Sequence, residues 1–262
     1  MIGRVGVEIT PGEQSAERAR QDLGVGLDAP ISVLVVVESA ADVPVAVQEL
    51  PGDVAGLFLR RRGRALLTVN GNHPVVRQRF TLAHEFGHLY MGHTSRLETT
   101  ELMWSGADRQ EVEANYFAGA FLAPRQAVRN WADRHPDRAG DLETVVRMST
   151  FFGTSAEASR IRLELSGVVS RNRSDALKRQ IRNGEHHGVR AALGLTAFTD
   201  ELSQLKQEVE TGARELPRLP AVLVSTARRA RDQSLMDEED FEMVMRGQTA
   251  PLTGSSGDPA DE

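Results

Sequence analysis

Residues 79–93 read RFTLAHEFGHLYMGH, and the five positions from His84 to His88 decide how the rest of the chain is read. Pro74 suits the first turn of a helix. Val76, Phe80, Leu82, Ala83, Phe86 and Leu89 recur on more than one face, so the stretch from Val75 to Gly92 predicts a largely buried helix. Residues four apart on a helix lie about 40° from each other, so His84 and His88 aim their rings at one point, and Glu85 projects beside it. Two imidazoles aimed together suit a divalent cation, and a neighbouring carboxylate can take a proton from the water that the cation activates. A lone histidine here would read as a core residue. Two with an acid between them bury three titratable groups together, which is costly without a metal.

A catalytic zinc takes three protein ligands and keeps one position open. The chain has no cysteine, which removes thiolate sites, disulfides and a cysteine nucleophile at once. On a continued helix His93 would sit about 180° from His84, and it misses the HExxHxxGxxH spacing by one residue, so it is not read as the third ligand. EVEANYFAGAFLAP, residues 111–124, fits a second helix over 109–122 that ends before Pro124. Glu111 and Asn115 share a face of it. Glu111 is therefore the expected third ligand, and Asn115 hydrogen-bonds a ligand or fixes the helix. Glu113, about 200° from Glu111, reads as a solvated surface charge. Tyr90, His93 and Tyr116 are all candidate transition-state donors, and the sequence does not choose among them. Trp104 and Trp131 both read as packing residues, and Trp104, between the motif helices, can also border the cleft.

Taken together, RFTLAHEFGHLYMGH and EVEANYFAGAFLAP resemble the ImmA/IrrE group of bacterial metalloproteases, whose pattern is a helical HExxH followed by ExxAN, FA and a closing Pro. The resemblance covers roughly residues 40–165. It implies that His84, His88 and Glu111 ligate one Zn2+ per chain and that Glu85 is the general base. It also implies a substrate class, because family members act as anti-repressors that cleave a helix-turn-helix transcriptional repressor in mobile elements or stress responses. This chain shows no recognisable helix-turn-helix ahead of the motif, and its C-terminal part does not look like the sensory domain of the radiation-response members.

Working outward, VAVQEL, VAGLFLRR and RALLTVN are apolar, β-branched runs separated by PGD and RRG. They predict three strands joined by tight turns, a small antiparallel sheet over residues 45–70. Residues 14–22 read as a helix, and ISVLVVVESA as helix passing into loop. RQAVRNWADRH predicts a further helix, and DLETVVRMSTFFGTSAEASRIRLELSG two helices around a Gly153 turn, with Ser155 as N-cap. A DNA-binding reading of that pair fails because its second helix is half apolar and needed for the core. The basic cluster SRNRSDALKRQIRN reads as a solvated helix face, and His186 and His187 as exposed loop residues. The expected class is α+β: a small sheet packed on a helical, zincin-like metallopeptidase core over residues 1–165. A mainly helical regulatory or substrate-recruiting extension follows over 166–246, with a disordered tail over 247–262.

Composition narrows the alternatives. A net charge of −6 and only 5% aromatic residues argue against direct nucleic-acid binding, which draws on basic patches and stacking rings. The start of the chain has no apolar signal segment, and the longest apolar run, Ile31 to Val37, is too short to span a bilayer, so the expected compartment is the cytoplasm. The rival to an enzyme is a metal-containing binding module that sequesters a regulator or toxin. Glu85 separates the two, since a pure binder needs no base there.

Overall fold

The computed structural model describes residues 8–61, 63–93, 97–99, 108–135 and 140–247. The first helix, α1 (Pro11–Asp22), starts at a capping box: Glu13 N donates to Thr10 Oγ1, and Thr10 N donates to the Glu13 carboxylate. After α2 (Val33–Val35), which runs into a π-helical turn (Val36–Ala40), come β1 (Val45–Gln48), β2 (Val54–Arg61) and β3 (Arg64–Asn70). The long helix α3 (Val75–Met91) follows, then a short strand β4 (Leu97–Thr99) and α4 (Arg109–Leu122). The remaining helices are α5 (Arg125–Asp133), α6 (Leu142–Phe152), α7 (Ala156–Leu165), α8 (Arg171–Arg182), α9 (Glu185–Leu193), α10 (Glu201–Glu210), α11 (Ala221–Asp232) and α12 (Glu238–Met245).

The protein is α+β, with helices dominating a small sheet. That sheet is mixed, not antiparallel throughout, and its strand order is β1-β3-β2-β4. β2 and β3 form the expected hairpin, but β1 runs parallel to β3, with Val45 opposite Leu67 and Gln48 opposite Asn70. The PGD stretch is therefore a crossover past the slot that β3 fills, not a turn between neighbours. Buried Asn70 pins that crossover: its side-chain amide donates to the carbonyls of Leu50 (3.2 Å) and Val54 (2.9 Å). These bonds tie both flanks of the PGD stretch to the end of β3.

Two apolar clusters hold the fold. The larger unites the sheet (Phe58, Leu67, Val69) with α3 (Leu82, Ala83, Phe86) and α4 (Phe117, Phe121). Phe86 meets Phe117 and Phe121 with ring centroids 5.9 and 5.4 Å apart. Gly87 permits this approach, because a Cβ there would lie 2.8 Å from the Phe117 ring. The smaller cluster gathers Trp131, Val145, Met148, Phe152, Leu163 and Leu177, so Trp131 is a packing residue. As expected, α6 ends at Gly153 in the left-handed region (φ 63°), and Ser155 caps α7.

The segments after residue 165 contribute to both clusters: Leu177 to the smaller, Leu202 and Leu205 to the larger. Asp200 caps α10 and pairs with Arg79 of α3, whose guanidinium also donates to Ile31 O (3.0 Å) and lies 4.2 Å from the Phe198 ring centroid. Arg218 bridges to the edge of β1 through reciprocal backbone bonds with Val47 and pairs with Glu38. His186 and His187 lie in the first turn of α9, not in a loop, because Gly184 (φ 78°) turns the chain directly into that helix. No helix among the described residues is long and apolar enough to cross a membrane. Trp104 and the expected tail from 248 onward lie outside the described residues.

Candidate metal centre

Two helices and one strand build the site. α3 carries His84, Glu85 and His88, all buried, and α4 brings Glu111 and Asn115 up to them from its first and second turns. α4 begins where it does because the Asp108 side chain accepts from Gln110 N (2.8 Å), which places Glu111 in the first turn. β2 supplies the third wall: the Phe58 ring stacks on His88 with centroids 6.1 Å apart. Glu85 is fully buried on the side of α3 that faces β2, where a Cβ on Gly56 would stand 3.2 Å from its Oε1. The strand thus runs against this carboxylate at a residue with no side chain to displace it.

The two imidazole Nε2 atoms are 2.9 Å apart, and the Glu111 carboxylate lies 3.2 Å from that of His84 and 3.4 Å from that of His88. Ligand atoms about 2.0–2.1 Å from a tetrahedral ion stand about 3.3 Å from one another, so the spacing fits a single cation. Hydrogen bonding settles the tautomers. Asn115 Oδ1 sits 3.1 Å from His84 Nδ1 and accepts its proton, leaving the Nε2 lone pair directed at the cluster. Burial pushes the His84 pKa down, against the opposing pull of Glu111, so the ring is neutral at pH 7. Glu111 Oε1 has no hydrogen-bond donor among the described residues. An ionised carboxylate facing two ring lone pairs is repulsive until a cation sits among them. Among the described residues, His84, His88 and Glu111 form the group that could hold a metal ion, with ligand atoms all within 4.8 Å of one another.

His93 occupies a place that helical geometry did not anticipate. Gly92 takes a left-handed conformation (φ 73°) and ends α3, with His93 N donating to His88 O (2.9 Å) and Gly92 N to Leu89 O (3.2 Å). This Schellman turn folds His93 back so that its Nδ1 lies 2.9 Å from His88 Nδ1. Its Nε2 lies 3.5 Å from Glu113, which Arg109 holds in turn at 2.9 Å. With Nε2 of His88 reserved for the cluster, Nδ1 of His88 donates to His93, and Nε2 of His93 donates to Glu113. Glu113 is therefore part of the support of the site and not the solvated charge expected from a helical projection. The signal that could have revealed it is the glycine before His93.

Of the other expected donors, Tyr90 turns away: its hydroxyl donates to Asp22 of α1 (2.6 Å), and burial together with that carboxylate pushes its pKa up to about 12. Tyr116 lines a cleft next to Asn115. His93 stands behind the His88 ring, at the nitrogen opposite the cluster.

Residues 40–164 match the family model Peptidase M78, described as the IrrE N-terminal-like domain. These residues form a Peptidase M78 domain. No curated protein matches the chain. The M78 domain spans the elements from β1 to α7 and contains every residue of the cluster and its supports. α1 and α2, and α8 to α12, pack on it from outside the matched range. The family is peptidase-like, and a buried group able to hold a metal lies at the heart of the domain.

Supports of this kind usually contribute 10–100-fold to metal affinity. His93→Ala is expected to weaken metal binding by roughly that factor, measured by competition with a chromogenic chelator. An unchanged affinity would detach His93 and Glu113 from the site.

Proposed function

We propose that this protein is a zinc-dependent endopeptidase acting on a DNA-binding repressor of the helix-turn-helix class. The observation that carries the enzyme reading is the convergence of two Nε2 lone pairs and an ionised Glu111 on one point, with Glu85 buried at the next position of the same helix. Two imidazoles and a carboxylate are a common catalytic zinc set, and the chain has no cysteine to favour another. The substrate class is supported by the family to which the domain belongs. It is compatible with the net charge of −6, since a DNA-binding partner presents basic surface. Repressors of this kind work in the cytoplasm, where we place the protein.

Bound at these ligands, zinc supplies Lewis-acid activation of a water and of the scissile carbonyl. Glu85 takes the proton of the attacking water and passes it to the amide nitrogen as the C–N bond breaks, so the leaving segment departs as an amine. The rings of His84 and His88 are held in one orientation by Asn115 and His93. Asn115 and Glu113 fix these orientations before substrate arrives, so little reorganisation is needed at the moment of reaction.

The experiment is incubation of the zinc-loaded chain with a purified helix-turn-helix repressor encoded beside its gene, alongside denatured casein. Two discrete repressor fragments are expected, absent with phenanthroline and restored by zinc. Cleavage of casein alone would keep the peptidase and remove the repressor as substrate. Cleavage of neither would remove the peptidase.

A further inference from the structure

Beside the metal cluster, α3, α4 and α7 enclose a cleft of about 670 Å³. Val76 and Phe80 of α3, Val112 and Tyr116 of α4, and Ala158 and Ile161 of α7 give it a mainly apolar lining. It is continuous with the site: Phe80 and Thr81 precede His84 by one helical turn, Val112 directly follows Glu111, and Asn115 both lines the cleft and holds His84 Nδ1. The Phe80 ring lies 6.4 Å from the His84 ring, centroid to centroid. An extended peptide with its carbonyl at the cluster would therefore pass an adjacent side chain over this opening.

From this continuity we infer that the cleft is the specificity pocket of the enzyme and takes a large apolar side chain, such as Leu, Met or Phe, from the residue flanking the cleaved bond. The inference rests on the peptidase reading above. A volume of this size falls in the range of ligand pockets and leaves room for a side chain as large as Phe. Arg77, Glu157 and Arg162 also line the cleft, but most of its wall is apolar, which favours an apolar side chain there. Helix-turn-helix proteins carry such apolar residues in their cores, so cleavage would fall within a segment that must open to reach the site.

The test uses the zinc-loaded full chain and two simple hydroxamic acids, which chelate zinc directly: one with a benzyl group beside the hydroxamate, the other with hydrogen at that position. Calorimetry is expected to show the benzyl compound binding roughly ten- to hundredfold tighter, the return on burying one large apolar group. Ala158→Trp, which fills the cleft, should cut that preference to about twofold or less while leaving affinity for the unsubstituted compound unchanged. Ile161→Trp, one turn further along α7, is the parallel variant should the first not fold. Equal binding of the two compounds by the unmodified chain, or a preference that survives both tryptophans, would overturn the pocket assignment with the metal site intact. Binding of neither compound would instead strike at the peptidase reading itself, and the pocket would fall with it.

Discussion

Replacing Glu85 by Gln is expected to lower turnover by roughly a hundred- to ten-thousand-fold, the usual contribution of a positioned proton acceptor, while leaving metal content unchanged. Gln matches Glu in size, so the packing of α3 against β2 at Gly56 is preserved and the three ligands keep their places. What disappears is the basicity that takes a proton from water. Fluorogenic peptide hydrolysis and elemental analysis on the same preparation read the two effects separately. Loss of both activity and metal would mean that Glu85 holds the site together instead of acting in it. Undiminished effect of Glu85→Gln on the partner in cells would favour sequestration over cleavage.

Replacing Glu13 by Gln is expected to destabilise the fold by about 3–5 kcal/mol, the typical cost of stripping one partner from a buried ion pair. Glu13 is fully buried between two arginines from distant parts of the chain. Arg125 reaches it at 2.6 Å and Arg162 at 2.6 Å, while Arg162 also donates to Ala123 O at 2.8 Å. The three residues join α1, α5 and α7 behind the metal-bearing helices. The neutral amide of the Glu13→Gln variant could retain the capping contact with Thr10, but it would deprive two guanidinium groups of this counter-charge. At about 2–4 °C per kcal/mol for a chain of this size, the melting temperature should fall by roughly 10 °C at neutral pH.

The same network sets an acid limit. Burial raises the pKa of Glu13, but Arg125 and Arg162 outweigh it, so the folded value lies below the ordinary 4.5. A depressed folded pKa means that the unfolded chain binds the proton first. The stabilisation is therefore fully present above about pH 4.5 and is lost as pH falls through the folded value. Urea titrations from pH 7 down to about pH 3 should show the natural chain losing more stability than Glu13→Gln, with the difference opening below about pH 4.5. Equal stabilities at pH 7 would show that the arginines find other partners.

The two motif helices were legible because their signals are local. Pro74 starts α3 and Pro124 follows α4, and the alignment of His84 with His88 is a property of any helix that carries them four residues apart. The meeting of Glu111 with those rings needed only a second helix of known face. Strand direction was not legible: β1, β2 and β3 alternate alike whichever way they run, and the crossover depends on Asn70, a single buried amide whose partners lie 16 and 20 residues away. The role of His93 was hidden because a helical projection fails at the residue where the helix stops. Gly92 marks that stop, but where the chain goes next depends on packing against α4. The Glu13 cluster was the least readable, since its members are charged residues up to 149 positions apart, and nothing local separates them from surface charges.

Whether His84, His88 and Glu111 hold one catalytic zinc is decided by the metal content of the purified chain beside its His88→Ala variant. About one zinc per chain is expected in the natural protein and almost none in His88→Ala, with both proteins folded. A chain that carries no metal and takes up none when zinc is supplied, or a variant that retains it in full, would contradict the account.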